Sequence, residues 1–298
     1  MTIGITGAGG QLGAALVRYA LKRVPPSSIV AITRNPAKLD SLAQQGVQVR
    51  SGDFNEPAGL LAALQGIERL MIIPTGDLQP GVRLRQHTAA IKAAVTAGVR
   101  HVTYISTVSA RPDPNNILFD SHFETEQALI ASGSAWTILR MSVYMETLLD
   151  GAKRALASGV YSAVPGAPAA YVGRDDLAAA AAGILTTAGH DGVTYHATGP
   201  VSIRQAEIAG AVSQATGKAV TFTALTEAQQ RAGLEGAGLP PFVVTTVAGF
   251  QAALRAGAFD LITRDVERLS GRPAEAPAAF FARTLAAAAS SAKGSQQT

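Results

Sequence analysis

The clearest chemistry in this chain sits in seven residues near its amino terminus, Gly7-Ala8-Gly9-Gly10-Gln11-Leu12-Gly13. They follow a short apolar, β-branched stretch at 2–6 and precede an apolar-periodic stretch at 14–23. Strand, glycine turn and helix in that order form a corner that cradles a diphosphate, because a helix start presents unpaired N–H groups and the positive end of its dipole. Gly7 is expected to make the sharp turn, Gly9 and Gly10 to admit a pyrophosphate to the backbone, and Gly13 to let helix and strand pack closely. Thr6, Gln11 and Leu12 flank the turn and join it as candidate binding residues. The spacing is G-x-x-G-x-x-G. With 30 glycines in 298 residues such a triplet is weak alone; its place directly after a strand gives it force.

A second group follows the apolar stretch 28–33. A dinucleotide site usually carries a carboxylate there, for the ribose hydroxyls; here the residues are Thr33-Arg34, with Lys38 one helical turn on. A guanidinium can fork onto a 2′-phosphate and an ammonium adds a point charge, so NADPH is expected as cofactor over NADH. Two solvated cations are the plainer alternative, although cations at a helix start oppose its dipole. Asp53-Phe54 follows 47–51. Asp53 can accept from an adenine amino group and Phe54 can flank the ring; a turn aspartate and a core phenylalanine would look the same. Ile73, Pro74 and Thr75 end another apolar stretch and are expected along the adenosine and the nicotinamide ribose. Ser106, Thr107 and Ser109 are expected near the nicotinamide, and Arg140 ends the stretch after them.

Those positions all fall at the ends of strands. Strands expected at 2–6, 28–33, 47–51, 69–73, 101–106 and 135–140 alternate with helices at 14–23, 36–45, 57–64, 82–97 and 121–131. Such alternation implies right-handed βαβ units and a parallel sheet, with ligands at the carboxyl ends of the strands. The expected class is α/β: a Rossmann-like doubly wound parallel sheet at 1–145, and a smaller C-terminal α+β lobe at 146–298, some of whose segments return to the sheet. Within the lobe, helices are expected at 146–157, 174–186 and 203–216, strands at 193–198 and 219–225, and a frayed polar tail at 290–298.

Composition narrows the function classes. The chain is 47% hydrophobic and 15% charged, enough for a sizeable core, and no apolar run reaches membrane-spanning length. Cysteine is absent, which removes disulfides, thiol catalysis and soft metal ligands. The net charge of +4 comes from scattered residues, so neither nucleic acid nor membrane is an expected partner. With a strand expected at the start, no secretory leader is expected. A cytoplasmic protein, monomer or homodimer, with a small-molecule substrate and no metal is expected.

Several strings occur in one order: Gly-Ala-Gly-Gly-Gln-Leu-Gly (7–13), Thr-Arg-Asn-Pro-Ala-Lys (33–38), Gly-Asp-Phe (52–54), Leu-Gln-Gly-Ile-Glu (64–68), Ala-Gly-Val-Arg-His-Val-Thr-Tyr-Ile-Ser (97–106), His-Phe-Glu-Thr-Glu (122–126) and Thr-Ile-Leu-Arg (137–140). Together they resemble the NmrA-like atypical short-chain dehydrogenase/reductases, and among these the bacterial type 2 NAD(P)H:quinone oxidoreductases and the triphenylmethane reductases. The resemblance implies a Rossmann domain with a small C-terminal lobe, NADPH as donor, and flavin-free reduction of quinones or dyes. It also admits a second class, an NADP(H)-sensing regulator without turnover.

Many dehydrogenases of this fold move a proton through Tyr-x-x-x-Lys, yet none of the six tyrosines here has lysine four residues later. The corresponding place holds His122 and Glu126, which the i, i+4 spacing sets on one helix face. His122 is thus a candidate proton donor or substrate ligand, with Glu126 raising its pKa; an ordinary surface pair is the alternative. Quinones suit a site without Tyr-x-x-x-Lys: hydride addition gives a delocalised phenolate that takes a proton from water, and a cationic dye needs no proton at all. An enone or imine is a further acceptor class. Tyr144 is the candidate to stack on a planar acceptor or donate its hydroxyl. Met141 stands where the resemblance implies asparagine, which loosens any carry-over of acceptor preference. The isolated His87, His101, His190 and His196 take no role in this reading.

Overall fold

The structure, a computed structural model, describes residues 1–113 and 116–294. The last four residues of the expected polar tail lie outside the described residues.

Seven strands form one parallel sheet: β1 (Ile3–Ile5), β2 (Ile29–Thr33), β3 (Gln48–Ser51), β4 (Arg69–Ile72), β5 (His101–Thr107), β6 (Ala135–Met141) and, after the short strand β7 (Val160–Ala163) described below, β8 (Val193–Ala197). Their order is β3-β2-β1-β4-β5-β6-β8, so the direction of winding reverses between β1 and β4. Crevices at such a reversal, outside the carboxyl ends of the strands, are where doubly wound sheets bind ligands. Helices α1 (Gln11–Ala20), α2 (Asp40–Gln44), α3 (Pro57–Leu64), α4 (Val82–Thr96) and α5 (Ile117–Ile130) make the crossovers. Val30, Ile32, Leu60, Leu64, Ile72, Ile91, Tyr104 and Leu129 belong to one buried cluster, which ties α3, α4 and α5 to the strands. Strands β1 and β2 are continuous buried runs and β4 is nearly so, because both faces of the sheet are covered there, whereas the edge strand β3 is only partly buried.

The chain divides into two compact units. The first comprises 1–141, 174–197 and 265–272. It includes the alanine-rich α7 (Arg174–Thr186), buried along most of its length and packed on α1, and the short α11 (Asp265–Ser270). The second comprises 142–173, 198–264 and, among the described residues, 273–294. It holds α6 (Leu149–Ser158), α8 (Gln205–Thr216), α9 (Glu227–Gly236), α10 (Pro241–Arg255), α12 (Pro277–Gly294) and the parallel pair of β7 with β9 (Thr221–Ala224). Among the described residues no helix is long and apolar enough to cross a membrane.

Several helices begin elsewhere than their sequence suggests: α1 starts at Gln11, three residues before 14, and α8 at Gln205, two after 203. Residues 36–45 split into a 3₁₀ turn, Pro36–Leu39, and α2, and the Asn35 side chain makes no capping bond. Residues 145–148 are likewise a 3₁₀ turn ahead of α6. Helix α5 starts at Ile117, four residues before 121, because the Asn116 side chain accepts from the Leu118 N–H and caps it.

Candidate active site

A cleft of about 380 Å³ opens where β1, β2, β3 and β4 end. Its floor is the glycine turn. Gly7 has φ +63°, a conformation that side chains rarely adopt, and a Cβ at Gly13 would collide with the Gly7 carbonyl oxygen and the Ala8 Cα. The turn and α1 are thus pressed together as expected. Gly10 caps α1 without a side chain and no acid lies in the first turn, so no protein side chain occupies the anion-attracting end of that helix. Gly9 and Gly10 line the cleft. Gln11 and Leu12 form the first turn itself, Gln11 exposed and Leu12 buried. Thr6 is buried below: its hydroxyl donates to the Met71 carbonyl and accepts from the Ile73 N–H at 3.0 Å, pinning the chain after β4 to β1.

Arg34 and Lys38 both line the cleft and are both exposed. Among the described residues no carboxylate pairs with either, whereas Arg18, Arg100, Arg140 and Arg272 all have acidic partners. Asp53 Oδ1 accepts from the backbone and side-chain nitrogens of Asn55, closing a local turn. Phe54 lines the cleft while packing against the buried cluster, so it serves both readings offered for it. Ile73, Pro74 and Thr75 form the opposite wall.

The cleft also rests on residues to which the sequence reading gives no role. Arg83, Gln86 and His87 lie at i, i+3 and i+4 on α4, and all three are buried. His87 Nε2 accepts from the Thr75 N–H at 3.1 Å, and Arg83 Nη1 donates to the Thr75 carbonyl. Gln86, part of the cleft lining, donates from Nε2 to Asn55 Oδ1 at 3.1 Å, while its Oε1 is a buried acceptor with no partner among the described residues. The available signal was their spacing: it puts them on the helix face that continues as Ala90, Ile91 and Ala94, so polar residues stood where apolar ones were due.

His122 and Glu126 are drawn into different bonds. Arg83 Nη2 lies 2.9 Å from His122 Nε2. A guanidinium only donates, so Nε2 accepts and the ring proton sits on Nδ1, directed to the Tyr104 hydroxyl at 2.7 Å. Burial, then the Arg83 charge, holds the His122 pKa well below its ordinary value. This corrects the expectation that Glu126 raises it. Glu126, almost fully buried, instead receives Arg140 as a fork, Nε to Oε1 at 2.9 Å and Nη2 to Oε2 at 2.6 Å. That pairing, with its hydrogen bonds foremost, raises the Arg140 pKa.

Arg140, Ser106 and Thr107 are not in the cleft lining around the glycine turn. Ser106 is fully buried at the end of β5, its hydroxyl without a hydrogen-bond partner, and Thr107 is nearly so. Tyr144 belongs to the second unit, half-buried, where its carbonyl accepts from Thr147. A separate cavity of about 430 Å³ lies within that unit, lined by Arg154, Tyr161, Gln205 and Arg255 among others.

Sheet order, glycine turn and unpaired cations define a Rossmann-type dinucleotide-binding protein. A model of the NmrA-like family matches residues 1–243, and the chain belongs to that family. It is 40% identical over 273 residues to quinone oxidoreductase 2 of Escherichia coli, covering 91% of this chain and 94% of that protein. The crystal structure of the E. coli enzyme, an NADPH-dependent quinone oxidoreductase in complex with NADPH, aligns with a TM-score of 0.88 at 37% identity, over 95% of this chain and all of that one. The NAD(P)H azoreductase of Xenophilus azovorans is 31% identical over 95% of this chain and 98% of its own. The Citrobacter sp. triphenylmethane reductase, solved with NADP(H), aligns with a TM-score of 0.86 at 29% identity, over 95% of this chain and 99% of its own.

Proposed function

We propose that this protein is a flavin-independent oxidoreductase that uses NADPH to reduce a quinone or quinone-like conjugated acceptor. One observation carries the cofactor: the uncapped start of α1 and two cations without acidic partners among the described residues face the same cleft. The orphaned acceptor on Gln86 fits a donor such as an adenine amino group. In this reading α1 takes the diphosphate, Arg34 and Lys38 take the 2′-phosphate, and Asp53, Phe54 and Gln86 surround the adenine. The wall of Ile73, Pro74 and Thr75 guides the molecule toward Ser106 and Thr107.

Bound NADPH supplies a hydride from C4 of its nicotinamide. The quinone becomes a hydroquinone by taking that hydride and one proton, which solvent delivers to a stabilised phenolate. The protein's part is to orient donor and acceptor and to exclude water between them. The relatives' named activities, reduction of quinones, azo compounds and triphenylmethane dyes, fit an acceptor that needs no strong protein acid.

Anaerobic mixing of purified protein with NADPH and a naphthoquinone tests this. NADPH oxidation that requires the quinone, from protein carrying no yellow chromophore, is expected. Tight NADPH binding with no oxidation across quinones and dyes would replace the enzyme with a redox sensor.

A further inference from the structure

The segment Ile73-Pro74-Thr75-Gly76 borders the cleft yet has no regular secondary structure. Proline brings no N–H, and glycine follows Thr75, so this stretch has little means of holding its own shape. Thr6 fixes its first residue through the Ile73 N–H. Two side chains of α4 take the rest: the Thr75 N–H donates to His87 and the Thr75 carbonyl accepts from Arg83. We propose that His87 and Arg83 are positioning residues that grip both backbone groups of Thr75 and thereby set the cleft wall for the cofactor. This rests on the cleft being the NADPH site.

The grip is built with one polarity. Because Nε2 of His87 must accept from a backbone amide, its proton is on Nδ1, which donates to Thr125 Oγ1 at 3.1 Å. Thr125 in turn donates to the Ser121 carbonyl at 2.7 Å. Arg83 is oriented by Ser121 Oγ and His122 Nε2, at 3.2 and 2.9 Å. Each holder is therefore itself held by α5. Arg83 is a buried cation bonded to a carbonyl, a hydroxyl and an imidazole, an expensive way to fill space that apolar packing would fill more stably. Placing Thr75 accounts for that expense.

Full-length H87L and H87Q variants test the proposal. Leucine fills the volume without an acceptor; glutamine carries an oxygen to about the position of Nε2. Amide exchange at Thr75, measured without cofactor, should quicken about tenfold in H87L, and NADPH affinity should fall by about the same factor, the loss of one hydrogen bond. The KM for the quinone should stay unchanged. H87Q should restore both exchange protection and affinity. If H87L does not fold, H87N takes its place, since its amide stops short of Thr75, and the same pattern is expected. Unaltered Thr75 exchange, wild-type NADPH affinity in H87L, or an H87Q variant no better than H87L would each overturn the proposal. Wild-type protein that binds no NADPH would instead overturn the cofactor reading beneath it.

Discussion

His122 and Glu126 stand one turn apart on α5 and bond to different partners, the imidazole to Arg83 and Tyr104 and the carboxylate to Arg140. Both ring nitrogens are engaged, so His122 has no proton to offer a substrate, and desolvation keeps it neutral. Replacing it with asparagine should leave the shape of the kcat–pH profile unchanged through neutrality, with any loss appearing in thermal stability. A profile that loses an ionisation in H122N would return His122 to the chemistry.

The Glu126–Arg140 fork yields a second expectation. Glu126 is 1% exposed, so removing its partner leaves a carboxylate buried and uncompensated. R140M should destabilise the fold by about 3–5 kcal/mol. The double variant E126L/R140M should recover much of that, because two apolar residues bury no charge. Urea unfolding of the wild type and both variants measures this. Equal stability of single and double variants would show that the carboxylate finds another partner.

Acid should act on the same interior. Burial and the nearby Arg83 charge lower the His87 pKa to about 3, and His122 is lowered too. In the unfolded chain a histidine titrates near 6.5. Between those values the unfolded state binds protons that the native state refuses, so stability falls as pH falls. The contribution is complete above about pH 6.5, and each histidine adds up to about 1.4 kcal/mol per pH unit to the loss below it. Denaturant midpoints measured from pH 7 to pH 4 should show the decline, and H87Q should make it shallower while the other histidines held low, among them His122, keep part of it.

The sequence made the sheet and the cleft floor legible because glycine and proline mark where apolar runs stop, and a doubly wound sheet puts its ligand at those stops. Gly7, Arg34, Asp53 and Thr75 all sit at such stops and all line the cleft. The support beneath them was not, for a physical reason. An i, i+4 spacing says that His122 and Glu126 share a helix face, but not whether that face looks toward a cleft or into the interior. For Arg83 and His87 the difficulty was the reverse. Polar residues suggest solvent, and only the meeting of α4 with α5 and the Thr75 backbone makes burial tolerable. Asn116 is hard to read as a cap because Ile117-Leu118-Phe119 is an unbroken apolar run without helical period.

Cofactor choice gives the sharpest test of the cleft. Arg34 is exposed and has no acidic partner among the described residues, so removing it breaks no ion pair there and leaves no buried charge. If it forks onto a 2′-phosphate, R34A loses a charge-assisted contact of about 1.5–3 kcal/mol. NADPH affinity should then drop about 10- to 100-fold while NADH affinity stays where it was. K38A should show the same selectivity with a smaller loss, since an ammonium at this distance acts as a point charge without the planar fork. The loss in R34A should also shrink as salt is added, because an exposed pair is screened. Calorimetric titration of both dinucleotides into wild type, R34A and K38A measures all three effects. Parallel weakening of NADH would mean that Arg34 acts on the shared part of the dinucleotide, and the basis for NADPH preference would lie elsewhere in the cleft.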